Sequence, residues 1–389
     1  MSELRNEFSD IEPYNDSVFQ EKIASLVKEP GFEHAVRSVL PDVDYPEFVA
    51  ELMAVPGKEQ FQKNIMGNFL EELALRTTAG ITYSGLDAVH DDSRYTFITN
   101  HRDIVLDASF LNLGFLRAGK RTSEVAIGDN LLIYDWITDL VKLNGSFIVK
   151  RNVGITGALD AARQLSSYIH YAISAKKESI WIAQREGRAK DSDDKTQESV
   201  IKMLALGGPG RMVENLVSLN ILPVAISYEF DPNDYLKARE FLLKHRDPNF
   251  KKSKHDDLFS METGLLQFKG RVHFGLSQCI TPEIEKIPAD TPKGEVARSV
   301  CALVDNAIHS HYLIYPINYV AYDNLFGSDR YSGHYTPDEE AAVMEYIEGQ
   351  LDKVDVENIT ADEREFMRHK MYEMYANPLK NKLLATGVS

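Results

Sequence analysis

The sequence predicts an α/β fold in which a mixed, largely parallel sheet is flanked by helices, with an N-terminal helical region and C-terminal helices. Between residues 81 and 228, short apolar segments alternate with longer segments of helical periodicity. This alternation is typical of a parallel sheet covered by helices. A hydrophobic content of 43% and an aromatic content of 10% over 389 residues supply enough apolar side chains for a large core.

Residues 1–78 form the predicted N-terminal helical region, which is acidic and interrupted by prolines. Its clearest amphipathic stripe consists of apolar side chains at helical spacing, namely Phe61, Ile65, Met66, Phe69, Leu70 and Leu73. Such a stripe usually packs in a core. The alternative is an apolar surface for an acyl chain or a lipid interface.

Residues 79–315 form the predicted α/β domain, and residues 316–389 a C-terminal helical extension. The predicted strands are 81–83, 95–99, 125–127, 147–149, 179–183, 221–228 and 271–275. Helices are predicted from Ile104, from Leu131 and over residues 158–175. Ligands in such sheets gather at the carboxyl ends of the strands, so the residues just beyond each strand are the candidate site.

Charge and composition exclude several classes of protein. The net charge of -16 argues against general nucleic-acid binding and opposes contact with an anionic membrane unless cations gather on one face. Cys279 and Cys301 are too few for a disulfide framework and fit a reducing compartment. The first seven residues do not resemble a signal peptide, and no apolar run is long enough to span a bilayer. We therefore expect a cytoplasmic protein that contacts at most the inner face of the membrane peripherally.

The segment 95–107 carries a histidine at a strand-to-helix junction. His101 follows the apolar strand and precedes a helical pattern that begins with Ile104. Asp103 is placed to cap the helix, and Asp107 lies about one turn inside it, close enough to reach back to His101. A histidine oriented by a carboxylate can act as a general base. A strand-end histidine held for structural reasons is the other interpretation.

Three further strand ends carry distinctive sequences. The strand ending at residue 149 is followed by Lys150 and Arg151, and the strand ending at residue 183 by the loop Glu186-Gly187-Arg188. Arginine in such loops can bind phosphate bidentately. The segment 221–226 is an apolar strand that contains a proline. Taken singly, each cationic cluster is more often a surface ion pair than a ligand site.

Together and in this order, these segments resemble the motifs of the glycerolipid acyltransferase superfamily, which includes glycerol-3-phosphate and 1-acylglycerol-3-phosphate acyltransferases. Asn100-His101 with Asp107 is similar to the His-Asp motif of the family, and residues 145–151 to its Gly-x-x-Phe-Ile-x-Arg motif. Glu186-Gly187-Arg188 is similar to the Glu-Gly-Thr-Arg motif, and residues 222–226 to the Val-Pro-Val strand. The resemblance covers residues 81–280.

The chain departs from the family pattern at two positions. The family places four residues between His and Asp, whereas five lie between His101 and Asp107, and Asp103 is the alternative carboxylate. Because neither spacing puts both residues on one helical face, His101 must lie in the loop before the helix, where an extra residue can be accommodated. The third motif lacks its threonine, so Arg188 or Lys190 takes the position of the family's arginine.

The resemblance implies an O-acyltransferase of phospholipid biosynthesis that moves a fatty acyl group from acyl-CoA or acyl carrier protein to a hydroxyl of glycerol-3-phosphate or a lysophospholipid. His101 is the implied general base and Asp107 its orienting carboxylate. Backbone N–H groups near the helix start are candidates for stabilising the oxyanion. The implied substrate-binding residues are Arg151, Glu186, Gly187 and Arg188. No metal or cofactor is implied.

Either anionic donor needs a local positive patch on this acidic chain. The candidate patches are Arg117 with Lys120 and Arg121, and the basic run over residues 244–255. The motifs distinguish neither between the two donors nor among acceptors, and they specify no chain length.

Two alternative functions belong to other classes. A metal-dependent hydrolase could use His101, Asp103 and Asp107 as ligands, although the other histidines form no recognisable ligand motif. A lipid-binding or acyl-carrier-binding protein without catalysis is the second alternative, in which the longer His-Asp spacing abolishes turnover.

Overall fold

The computed structural model describes residues 7–151 and 153–387, so the predicted N-terminal and C-terminal regions begin and end outside these bounds. Within this part of the chain, seven strands form one sheet in the order β1-β7-β6-β2-β5-β3-β4. The strands are β1 (Ile81–Ser84), β2 (Thr96–Thr99), β3 (Ser123–Gly128), β4 (Ser146–Val149), β5 (Ser179–Ala183), β6 (Ile221–Tyr228) and β7 (Val272–Leu276).

The sheet is mixed and mostly parallel, as the sequence predicts. β6, β2, β5, β3 and β4 run parallel to one another, whereas β7 is antiparallel to β6 and carries β1 parallel to itself. The interior strand β6 is buried along its whole length, which explains its continuous apolar sequence. The carboxyl ends of the parallel strands therefore meet at one edge of the sheet.

Helices cover both faces of the sheet and extend at both ends of the chain. Before the sheet lie α1 (Asp16–Leu26), α2 (Pro30–Val39), α3 (Tyr45–Ala54), a short turn (Lys58–Gln60), a π-helix (Phe61–Met66) and α4 (Gly67–Thr77). Among the strands lie α5 (Leu106–Arg117), α6 (Asp135–Leu143), α7 (Ile155–Tyr171), a second π-helix (Ala172–Lys176), α8 (Glu198–Leu204), α9 (Met212–Val217), α10 (Asp234–Arg246) and α11 (Lys254–Leu266). After the sheet lie α12 (Thr281–Ile284), α13 (Lys293–Ser310), α14 (Pro316–Phe326), α15 (Pro337–Leu351) and α16 (Ala361–Thr386).

Two apolar cores lie against the faces of the sheet. One contains Phe147, Tyr168 and Val304, from β4, α7 and α13, and the other contains Phe97 and Phe115, from β2 and α5. Separate clusters hold the N-terminal and the C-terminal helices together. The boundaries at residues 78 and 315 stay predictions.

No helix in residues 7–151 and 153–387 is both long enough and apolar enough to cross a membrane.

Candidate active site

His101 and Asp107 are hydrogen-bonded at the end of β2. The His101 Nδ1 atom lies 2.8 Å from Asp107 Oδ2. His101 lies in the loop between β2 and α5, and Asp107 lies in the first turn of α5, so the loop accommodates the extra residue of the His-Asp spacing. The side chain of Asp107 is fully buried, while that of His101 is 14% exposed. The imidazole is therefore held at Nδ1 and leaves Nε2 for a substrate.

Backbone N–H groups fix the carboxylate of Asp107. The N–H of Arg102 donates to Asp107 Oδ2 at 2.7 Å, and the N–H of Asp103 donates to the same oxygen at 3.1 Å. Val105 occupies the N-cap position of α5, and Asp103 stabilises the turn before it, because its Oδ1 accepts from the N–H groups of Val105 and Leu106. Because the two carboxylates already accept from these four N–H groups near the helix start, stabilisation of an oxyanion would require other donors.

A buried ion pair anchors the loop beside His101. The guanidinium of Arg102 contacts Asp194 through two bonds, Nη1 to Oδ1 at 2.9 Å and Nη2 to Oδ2 at 2.5 Å. Tyr312 donates its hydroxyl to the same carboxylate. Neither Asp194 nor Tyr312 belongs to a motif, so sequence reasoning missed this anchor. The pairing holds the backbone on both sides of Arg102 in place, and with it the imidazole.

Asp103 lies in a second buried environment behind the loop. Burial raises the pKa of Asp103, and the nearby charge of Asp107 raises it further. Gly264 of α11 packs so closely that a Cβ there would lie 1.9 Å from Asp103 Oδ2. The buried Lys269 follows α11, and its Nζ donates to the carbonyl oxygens of Leu265 and Gln267.

From the burial of Lys269 we expect the free energy of unfolding to depend on pH. Burial lowers its pKa from 10.5 to about 8. Between pH 8 and 10.5 the unfolded chain therefore binds more protons than the folded chain, and the free energy of unfolding rises with pH. We expect urea unfolding across this window to show the rise in the wild type and to lose part of it in Lys269→Met. The exposed Lys202→Met serves as control, and equal slopes in all three proteins would contradict the expectation.

The imidazole faces a large apolar cavity. Its volume is about 1110 Å³, and His101 and Trp181 lie on its wall. The two rings meet edge to face with centroids 5.9 Å apart. Most of the amphipathic stripe predicted in the N-terminal region also lines the cavity, namely Phe61, Ile65, Met66, Phe69 and Leu70, whereas Leu73 is buried in the core. The cavity is therefore built between the N-terminal helices and the carboxyl edge of the sheet.

The residues implied as substrate-binding are divided between two locations. Arg151 and Glu186 line the cavity, and Arg151 Nη1 lies 3.7 Å from Glu186 Oε1. Gly187 has a φ of +67°, a conformation that favours glycine. Arg188 lies outside the cavity lining, and its Nη1 is 3.2 Å from the side-chain amide of Asn233. Lys190 likewise turns away and pairs with Glu240 of α10.

Arg185 is a cavity residue that sequence reasoning missed. It lies two residues beyond β5 and lines the cavity together with His101. Its Nε is shielded from solvent, and among the described residues no hydrogen bond reaches that atom. A usable signal is its position, because Arg185 follows β5 at the carboxyl edge of the sheet, where the strand residues Trp181, Ile182 and Ala183 also line the cavity.

The two proposed cationic patches are largely paired within the protein. Arg117 contacts Glu71 at 2.5 Å, and Lys120 donates to the carbonyl oxygen of Val89. In the basic run, Lys244 and Lys252 both contact Glu240, at 3.0 and 3.2 Å. A binding surface for an anionic donor at either patch stays a prediction.

Metal-ligand side chains are not clustered in the described ranges. No group of three or more His, Cys, Asp or Glu side chains there has an arrangement that could hold a metal ion. At the dyad, Nδ1 of His101 is hydrogen-bonded to Asp107.

Comparisons with known proteins show a similarity in structure and none in sequence. No protein-family model matches the chain, and no curated protein matches it. Among solved structures, the chain is similar to the 1-acyl-sn-glycerophosphate (LPA) acyltransferase, PlsC, from Thermotoga maritima, with 11% sequence identity and a TM-score of 0.37. The match covers 75% of this chain and 95% of that one.

Proposed function

We propose that the chain is an O-acyltransferase that moves a fatty acyl group from an acyl thioester to the hydroxyl of glycerol-3-phosphate or a lysophospholipid. One observation carries this proposal: a buried carboxylate holds His101 on the wall of an apolar cavity of about 1110 Å³. A base that meets an apolar cavity is the arrangement needed to activate a hydroxyl next to an acyl chain.

The reaction follows from the orientation of the imidazole. His101 Nε2 takes the proton of the acceptor hydroxyl as its oxygen attacks the thioester carbonyl, and Asp107 stabilises the imidazolium. The tetrahedral intermediate collapses by breaking the carbon–sulfur bond. The leaving thiolate takes the proton from the imidazolium, which yields a thiol and an ester. No covalent acyl-enzyme is needed, because the acceptor attacks the donor directly.

In the alternative of a silent binding protein, the longer His-Asp spacing abolishes turnover. The Nδ1 to Oδ2 distance of 2.8 Å supports a functional dyad instead.

Release of free thiol from an acyl thioester tests the proposal. Palmitoyl-CoA and a palmitoyl acyl carrier protein are each offered with glycerol-3-phosphate, lysophosphatidate and other lysolipids. We expect thiol release that depends on the acceptor, together with formation of the acylated acceptor by mass spectrometry. Absence of release with every pair contradicts the proposal. The two donors and the acceptor panel identify the substrates that the sequence leaves open.

The cavity should also set the preferred chain length. Ala162 of α7 lines its wall, and Ala162→Trp would occupy space available to the acyl chain. Excluding two methylene groups from an apolar site costs about 1.6 kcal/mol, or about tenfold in kcat/KM. We expect Ala162→Trp to lose at least about tenfold with palmitoyl donors and much less with octanoyl donors. The exposed Ala289→Trp is the control, and an equal loss for both donors would assign the wall a purely structural role.

A further inference from the structure

The cationic side chains that line the cavity differ in whether a carboxylate or a hydrogen-bond acceptor lies within reach of them. Lys150 forms an ion pair with Asp10 and donates to Gln164 at 2.9 Å. Arg151 lies 3.7 Å from the carboxylate of Glu186. Arg185 has neither kind of partner, since no hydrogen bond or ion pair reaches its guanidinium from the described residues. The cavity wall thus contains a cation that no side chain or backbone group in residues 7–151 and 153–387 compensates.

An uncompensated guanidinium that is partly desolvated is costly to maintain. The residue is half-buried, and its Nε has lost contact with water without gaining an acceptor. A buried donor without a partner destabilises a protein, and the cost is larger when the group is charged. An anionic ligand with two oxygens would relieve this cost, because guanidinium groups bind such ligands bidentately.

The sheet places Arg185 beside the base. β2 and β5 are parallel neighbours in which Thr99 is paired with Ala183, and the N–H of Gln184 donates to the carbonyl oxygen of Thr99 at 2.8 Å. His101 and Arg185 each lie two residues beyond that pair. Neighbouring strands are about 4.8 Å apart, so the backbones of His101 and Arg185 lie side by side at the carboxyl edge of the sheet.

We propose that Arg185 binds the anionic phosphoryl group of the acyl acceptor and so directs the acceptor hydroxyl toward His101. This inference rests on the proposed acyl transfer and assigns the anion contact to a residue outside the Glu186-Gly187-Arg188 loop. The phosphoryl group is either that of a small phosphate ester or the headgroup of a lysophospholipid, because both present the same oxygens to the guanidinium.

Equilibrium titration in the absence of an acyl donor tests this assignment without turnover. Glycerol-3-phosphate, lysophosphatidate and the uncharged monoacylglycerol are titrated calorimetrically into the wild type, Arg185→Gln and Arg185→Lys. We expect Arg185→Gln to weaken binding of a phosphate-bearing ligand about 10- to 100-fold and to change the affinity for monoacylglycerol by less than about threefold. Arg185→Lys keeps the charge but lacks the planar guanidinium, so its affinity for phosphate ligands should lie between those of the wild type and Arg185→Gln.

The ligands separate the two sources of phosphate. Loss of affinity for glycerol-3-phosphate identifies a small ester as sufficient, whereas a loss confined to lysophosphatidate identifies a lipid headgroup. The exposed Arg298→Gln removes the same charge from α13 and should leave every affinity unchanged. Thermal unfolding without ligand checks the fold of each variant, and a phosphate ligand should then raise the Tm of Arg185→Gln less than that of the wild type.

Several outcomes overturn the assignment. They are absence of phosphate-ligand binding to the wild type, equal affinities of wild type and Arg185→Gln, and a parallel loss of monoacylglycerol binding. If Arg185→Gln weakens only the binding of palmitoyl-CoA, Arg185 would instead be assigned to binding of the acyl donor. If the protein does not transfer acyl groups, the thiol assay will show it, and the binding titrations can still be interpreted on their own.

Discussion

Replacement of His101 by alanine should lower kcat by on the order of 10² to 10⁴-fold, the contribution typical of a general base. The imidazole is the titratable group that links Asp107 to the cavity, and its Nδ1 is already used by that carboxylate. Loss of the ring removes the acceptor for the hydroxyl proton while the apolar wall remains. We therefore expect thiol release to fall and the affinity for lysophosphatidate to stay close to that of the wild type.

The control for this experiment is His90→Ala, which removes an exposed histidine from the loop before β2. It should keep full activity. Thiol release that persists in His101→Ala, with acylated acceptor still formed, would refute the role of the imidazole as base and return His101 to a structural role at the end of the strand.

Replacement of Asp107 should have the second large effect, and its size depends on the substituent. In Asp107→Asn, the two backbone N–H groups that now bond Oδ2 should hold the amide oxygen in the same place. The imidazole then keeps its orientation and loses only the negative charge that stabilises the imidazolium. We expect a loss in kcat on the order of 10² to 10³-fold for asparagine and a larger loss for alanine, which removes both functions.

Asp103→Asn separates the two carboxylates that the sequence left as alternatives. The amide oxygen of asparagine can accept from the same two N–H groups that Asp103 Oδ1 binds, so this replacement should change stability by less than about 1 kcal/mol while kcat changes by less than about tenfold. Steady-state kinetics and urea unfolding of both variants give the comparison. A larger kcat loss in Asp103→Asn than in Asp107→Asn would reassign the orienting role to Asp103.

The local sequence was sufficient to predict the strands and the pairing of His101 with Asp107. β5 and β6 have the bounds predicted for them, because strands buried on both faces are continuous apolar runs that end at polar residues. The helix after β2 begins at Leu106 rather than Ile104, since the carboxylate of Asp103 draws the preceding residues into a capping turn. The proximity of His101 and Asp107 is also local, because a single turn of chain brings them together.

Long-range features were beyond sequence reasoning. The antiparallel direction of β7 depends on its pairing with β6, which no local pattern encodes. Arg185 precedes the Glu-Gly pair, whereas the family motif points to Arg188, whose Nη1 lies 3.2 Å from the side-chain amide of Asn233. Which of these side chains reaches the cavity depends on where β5 ends and on the positive φ of Gly187.

The dyad is contained in seven consecutive residues, whereas the cavity wall is assembled from segments as distant as Phe32 and Leu265. A change in the catalytic group must therefore arise within one short stretch of the gene, while substitutions that reshape the wall can accumulate independently at many scattered codons. Selection for a new chain length would accordingly find many single-step routes that leave the chemistry intact. Descendants of such a chain should share residues 100–107 and diverge most along the lining of the cavity.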